Sequence, residues 1–196
     1  AHITIGSKQN LRVRLVDCVG YMIKGAQGDT EEGKPRMVKT PWFKQAVPFE
    51  KAARVGTEKV ITDHSTIGIV VTTDGSVTDI PRENYLEAEE KAIQQLKKLG
   101  KPFVVVLNSV TPRSQNVSDI VDSICHKFNV PVIRANCLDL DKGKIEEILS
   151  LVLTQFDVKE IKFTVPKWLA MQGQDFPPKA KITENIIKNF EVCRNN

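Results

Sequence analysis

Apolar and polar residues alternate at the start of the chain: Ile3 and Ile5, then Leu11, Val13 and Leu15, fall on one face of the segments His2 to Gly6 and Leu11 to Asp17. A period of two marks half-buried strands, and Ser7-Lys8-Gln9-Asn10 between them has turn chemistry, so the pattern predicts an antiparallel hairpin. From Val19 to Pro48 the periodicity disappears. Gly20, Gly25, Gly28, Gly33, Pro35, Pro41 and Pro48 punctuate that stretch, and their density rules out long regular elements. A loop of this length is usually functional or mobile.

Helical spacing begins at Phe49 and runs to about Asp63, with Ala52, Ala53, Val60 and Ile61 inward. It leads into Ile67-Gly68-Ile69-Val70-Val71-Thr72-Thr73, a continuous β-branched run of the type buried on both faces of a parallel sheet. The alternation then repeats. Pro81 opens and Gly100 closes a helix whose Leu86, Ile93, Leu96 and Leu99 share a stripe, and Pro102 precedes a second buried strand, Phe103 to Leu107. Ser118 is the expected N-cap of a helix carrying Ile120, Val121, Ile124, Cys125 and Phe128. Val130 to Ala135 follows as a strand, and Ile145, Ile148, Leu149, Val152 and Leu153 mark a last helix of the series.

Strands recurring at roughly 30-residue intervals, with one amphipathic helix between each pair, are the mark of right-handed βαβ units. The expected fold class is α/β: a mostly parallel sheet with helices on both faces and an N-terminal hairpin. After Phe156 the pattern changes. Val158 to Val165 reads as a further strand, Pro166-Lys167-Trp168 breaks it, and Asp175-Phe176-Pro177-Pro178 links to a short helix around Ile182 to Val192. Residues 1–155 are read as one domain and 156–196 as a tail that begins another.

Composition narrows the class. With 196 residues, 41% hydrophobic and 27% charged, the chain can bury a sizeable core and does not have the make-up of a disordered segment. A net charge of +4 gives no argument for nucleic acid, whose binding faces need clustered Lys and Arg. Cys18, Cys125, Cys137 and Cys193 lack Cys-x-x-Cys spacing, so reduced thiols and a cytoplasmic setting are expected. No apolar run approaches the roughly 18 to 20 residues that span a bilayer. The start Ala1-His2-Ile3-Thr4 has no signal-peptide features.

Candidate chemistry gathers at the predicted strand ends. Asp17, three residues before Gly20, suits a water-mediated magnesium contact beside a flexible peptide whose N–H reaches a terminal phosphate, since ligands of open α/β sheets bind beyond the strand ends. The alternative is an Asp that opens a turn. Asn108-Ser109-Val110-Thr111 follows the strand ending at Leu107, where P-loop GTPases carry Asn-Lys-x-Asp for guanine, the alternative being an Asn-Ser-x-Thr-Pro turn of no functional consequence. Ser109 replaces the stacking Lys, and Thr111 replaces the Asp that accepts from guanine, so guanine preference is expected to be lost in favour of adenine or loose base selection. Ala135-Asn136-Cys137, at the next strand end, sits where related domains close over the base, with structural use equally open. Asp74-Gly75 reads as a turn rather than a ligand contact. His64 and His126 have no ligand-spaced partner, so neither a zinc site nor a nucleophile pair is expected. Trp42 and Trp168 lie in loop contexts and are expected to pack beneath a loop, with partner contact as the alternative.

Taken together, Arg14-Leu15-Val16-Asp17-Cys18-Val19-Gly20-Tyr21, Pro35-Arg36-Met37, Thr40-Pro41-Trp42 and the run His64 to Gly75 resemble the stage IV sporulation protein A family, the spore-coat morphogenetic ATPases of endospore-forming bacteria. Ala88-Glu89-Glu90, Gly100-Lys101-Pro102-Phe103 and Leu107-Asn108-Ser109-Val110 continue the likeness in order, over residues 1 to about 170. The resemblance implies a GTPase-derived, three-layer P-loop fold that uses ATP and Mg2+, and a Walker-B aspartate at Asp17. It further implies an altered base-recognition motif at Asn108 and Ser109. Expected partners are further copies of the protein in a polymer and other spore coat proteins, on the outer forespore surface in the mother-cell cytoplasm. The membrane is expected to be reached only through an anchor protein.

Only sixteen residues precede Asp17, and none forms the Gly-x-x-x-x-Gly-Lys-Ser/Thr loop that comes before this element in such domains. The family's Walker-A lysine and sensor threonines have no position here to fall on. The expectation is a fold incomplete at its N-terminus, with the sheet's centre missing, two apolar edges unpaired and no catalysis by the chain alone. Two rival readings are a catalytically inactive, nucleotidase-like interaction module and a receiver- or flavodoxin-like binding domain built on Asp17 and Asp74.

Overall fold

The opening alternation forms the expected antiparallel hairpin, β1 (His2–Ile5) with β2 (Gln9–Arg12), His2 opposite Arg12 and Ile5 opposite Gln9. The computed structural model describes residues 2–5, 9–156 and 162–194, with side chains described for 12–156 and 162–189. The second strand lies earlier than the pattern implied: Gln9 and Asn10 pair instead of turning, residues 13–17 are irregular, and Asp17 does not stand at a strand end. Leu15 is 81% exposed, and an apolar alternation with no layer to pack against does not hold a strand. The hairpin is a sheet of its own. The Gly- and Pro-rich stretch contains only two-residue ladders, β3 (Thr30–Glu31) with β4 (Lys34–Pro35) and β5 (Met37–Val38) with β6 (Val47–Pro48).

Helix α1 (Phe49–Lys59) has Glu50 in its first turn and Lys59 in its last, both favourable to the helix dipole, and it buries Ala52, Ala53 and Thr57. It runs on as a π-turn, Val60–His64. Lys101 Nζ donates to the carbonyls of Ile61, Thr62 and Ser65 and fastens that end to the sheet. The β-branched runs then form a parallel sheet in the order β7 (Gly68–Thr73), β8 (Phe103–Asn108) and β9 (Val132–Ala135), with Gly68 opposite Phe103 and Val105 opposite Val132.

Helices α2 (Leu86–Lys98) and α3 (Gln115–Phe128) cover one sheet face, where Ile93, Leu96, Ile124 and Phe128 meet Val70, Phe103 and Val105. Helix α4 (Lys142–Leu153) covers the other, with Ile148 and Val152 against Val104, Val106 and Ile133. The expected α/β class and two-sided helix layers are therefore present. In α2 the inward face is Glu89, Ile93 and Leu96, while Leu86 and Leu99 are exposed. The cap of α3 is Ser114, whose Oγ accepts from the Val117 N–H at 3.3 Å, and not Ser118. Val117 is fully buried at a helical position, so the helix has to start before it.

β7 pairs with β8 on one side only among the described residues. By register, Ile69 and Val71 share a sheet face with Val104 and Val106, yet they are 37% and 60% exposed and stand outside the cluster that α4 covers. The chain divides into units Ala1–Asp157 and Val158–Asn196. In the second, residues 158–161 of the expected Val158 to Val165 strand lie outside the described residues, and 162–165 form no strand. It holds α5 (Lys167–Ala170) and α6 (Pro177–Arg194), the latter starting five residues before the expected Ile182, at a proline whose fixed φ suits a first helical position.

Candidate functional site

Parallel strands place their carboxyl ends on one rim, and the loops after β7, β8 and β9 meet there. Asn108 Oδ1 accepts the Cys137 N–H at 2.9 Å, tying the end of β8 to the turn after β9. Asn136 caps that turn by accepting from the Leu138 N–H at 3.1 Å, and Ala135 is buried with its carbonyl on the Ser109 N–H at 2.9 Å. Ser109 is 0% exposed. Its Oγ donates to Asp74 Oδ2 at 2.7 Å and accepts the Thr111 N–H at 3.0 Å. The Ser109 side chain is therefore held within the loop by these bonds, and Thr111 offers an exposed side chain beside it.

Asp74 is the junction of this rim. Its Oδ1 takes the Ser76 hydroxyl at 2.6 Å and the Ser76 N–H at 3.0 Å, and the Val110 N–H returns to Ser76 Oγ at 3.0 Å. Desolvation works against the charged carboxyl, but the hydrogen bonds from Ser76 and Ser109 outweigh it and hold Asp74 below the ordinary carboxylate range. Asp74 is the turn residue expected, with the added role of joining two strand-end loops. Burial pushes the Cys137 thiol up, the direction that disfavours the thiolate.

The Asp17–Gly20 segment lies elsewhere. A cavity of about 510 Å3 runs along the unpaired side of β7, and Asp17, Gly20, Tyr21, Thr57, Thr72 and Glu89 are among its walls. None of Asn108, Ser109, Thr111, Ala135, Asn136 or Cys137 lines it. Asp17 is exposed, and its Oδ1 accepts the Cys18 N–H at 2.9 Å. Gly20 has φ of +82°, a conformation side chains disfavour. The Tyr21 hydroxyl donates to Gln95 Oε1 on α2. Burial first, then the Glu58 carboxylate, raise the Tyr21 phenol above its ordinary value, which keeps it a donor.

Arg82 carries no mark in the sequence, and Glu89 enters there only within the Ala88-Glu89-Glu90 likeness. Their side chains, 14% and 3% exposed, pair in a bidentate contact at 2.6 and 3.0 Å, and Arg82 Nη1 also reaches Thr72 Oγ1 at 2.9 Å. Arg82 lies in a 3-10 turn, Arg82–Asn84, ahead of α2, so the pair depends on that turn and no i,i+3 or i,i+4 spacing marks it in the sequence. Trp42 and Trp168 are 47% and 60% exposed, so neither is buried under a loop. No group of three His, Cys, Asp or Glu residues poised for a metal occurs among the described residues. A lone carboxylate such as Asp17 fits magnesium, which keeps several waters and takes its other ligands from phosphates. No helix among the described residues is long and apolar enough to cross a membrane.

Parallel strands with helices on both faces form a mixed α/β domain around a three-stranded parallel sheet, consistent with a P-loop-like domain, with a cavity beside the sheet edge. The chain belongs to the family described as stage IV sporulation protein A, ATPase domain, whose model matches residues 1–157. It is 51% identical over 167 residues to stage IV sporulation protein A of Clostridioides difficile (strain 630), covering 85% of this chain and 34% of that protein. Its likeness to the protein of the same name from Bacillus subtilis (strain 168) is 42% over 196 residues, 98% of this chain and 39% of the relative. For Bacillus anthracis the figures are 40% over 172 residues, 88% and 35%. The chain thus spans little more than a third of the length of these curated relatives. No solved structure matches it.

Proposed function

We propose that this chain is part of the ATP-hydrolysing domain of a spore-coat scaffold, with ATP and Mg2+ as its ligands. The observation that carries the reading is the placement of Asp17 and Gly20 on the wall of the 510 Å3 cavity beside the unpaired side of β7. In this reading the exposed Asp17 carboxylate holds the magnesium ion through water, and the Gly20 N–H faces the terminal phosphate. The ion supplies charge neutralisation at the phosphates. The unpaired side of β7 is where this reading would seat the family's phosphate-binding strand. The rim of Asn108, Thr111 and the Ala135–Cys137 turn bounds the base, with Ser109 holding that rim in shape, and the missing carboxylate at Thr111 leaves guanine unselected.

The family's description names an ATPase domain, which supports nucleotide use. The relatives' printed name refers to sporulation, which supports a role in that process, and the setting proposed for it is the mother-cell cytoplasm at the forespore surface. Association with further copies and other coat proteins, and with the membrane through an anchor protein, completes the proposal. The test is steady-state ATP turnover by the full-length protein and its Asp17→Asn variant. A loss on the order of 100-fold in kcat is expected for a residue that positions charge in the transition state, with GTP turned over within about tenfold of ATP. Unchanged turnover in Asp17→Asn removes the residue from the reaction.

A further inference from the structure

A threonine in a helix ordinarily bonds back to a carbonyl of its own preceding turn. Thr57, 3% exposed in α1, does otherwise: its Oγ1 donates to the Gly20 carbonyl at 3.1 Å, across 37 residues of chain. Gly20 is already held at φ +82°, and Tyr21 beside it is tied to Gln95. The segment is thus pinned at Gly20 and Tyr21, while Leu15, Val16 and Val19 before it are exposed.

The residue next to Thr57 carries the second half of the observation. A Cβ on Gly56 would meet the Trp42 ring at 3.3 Å, so the indole lies against the helix backbone. The Trp42 loop is joined to the same helix by β5 and β6, by the Phe49 N–H on the Arg36 carbonyl at 2.8 Å, and by Lys51 over the Phe43 ring at 5.1 Å. Thr40 Oγ1, in that loop, is buried without a hydrogen-bond partner among the described residues, so a displacement of the loop has a polar group to satisfy. At its other end α1 is fastened to the sheet by Lys101 on the π-turn. One helix therefore touches Gly20 and Trp42 at adjacent positions and is anchored at one end.

We infer that Thr57 is a positioning residue for Gly20, and that α1 carries a shift of Gly20 to the Trp42 loop. The inference rests on the reading of Asp17 and Gly20 as nucleotide-facing. The test uses the full-length protein, with Thr57→Val and Thr57→Ser, and reads both ATP turnover and hydrogen exchange of the segments 15–22 and 36–48 with and without ATP and Mg2+. Loss of one positioning hydrogen bond in Thr57→Val is expected to lower kcat about tenfold with KM within about twofold, and Thr57→Ser to restore it. ATP is expected to change exchange in both segments of the wild type and only in 15–22 of Thr57→Val. A change in 15–22 without one in 36–48 in the wild type overturns the relay alone, and needs no variant to fold. Normal kcat in Thr57→Val overturns the positioning role. No change in either segment overturns the nucleotide-facing reading and the inference with it.

Discussion

The rim of the sheet and the Asp17–Tyr21 segment are built in opposite ways. At the rim, Asp74, Ser76, Ser109, Asn108 and Cys137 bond one another across three loops, and the central serine is completely buried. Beside β7, Asp17 is exposed and, among the described residues, accepts its neighbour's N–H, and the segment is held at Gly20 and Tyr21. The rim is cross-linked from loop to loop, while the segment is tied at its Gly20–Tyr21 end and exposed at Leu15, Val16 and Val19. In the proposed reading, the rim would bound the base and the Asp17–Tyr21 segment would lie on the phosphate side.

That contrast is broken most forcefully at the pair beneath both regions. Glu89→Ala leaves Arg82 charged and largely buried, and a loss of about 3 kcal/mol is expected in urea melting, since removing one partner of a buried pair strands the other. Replacing both partners with apolar residues is expected to recover much of it. Ser109→Ala removes a donor to Asp74 and an acceptor for Thr111, and is expected to cost about 1 to 2 kcal/mol.

Acid sharpens the comparison further. Asp74 has its carboxyl lowered in the fold, so its contribution is present above the unfolded value and lost as pH falls through the ordinary carboxylate range, near ~4, and below. Thermal melts across that window are expected to show a shallower acid loss in Asp74→Asn than in the wild type. The smallest effect belongs to the open segment: Asp17→Asn is expected to shift stability by no more than about 0.5 kcal/mol, as for an exposed side chain with no distant partner. A large loss there would make Asp17 a structural residue and erase the difference between the two regions.

The sheet was legible because Ile67 to Thr73 and Phe103 to Leu107 are apolar on both faces, a pattern that few other arrangements satisfy. The helices between them followed from their spacing. Local order near Asp17 was not legible: alternation at Leu11 to Leu15 resembles a strand, but Leu15 is exposed and the ladder stops at Arg12. Burial, which sequence does not show, decides that case. Ser109 was visible as a strand-end residue, yet its inward rotation toward Asp74 depends on a contact 35 positions away. Thr57 lay unmarked in a helix, since nothing local distinguishes a threonine that bonds a distant loop from one that bonds its own turn.

The most direct measurement replaces magnesium by Fe2+ in the full-length protein and maps where ascorbate-driven radicals cut the chain in the presence of ATP. The account predicts ATP-dependent cleavage centred on residues 17–20, weakened in Asp17→Asn. Cleavage confined to other segments, or unchanged by that substitution, would contradict it.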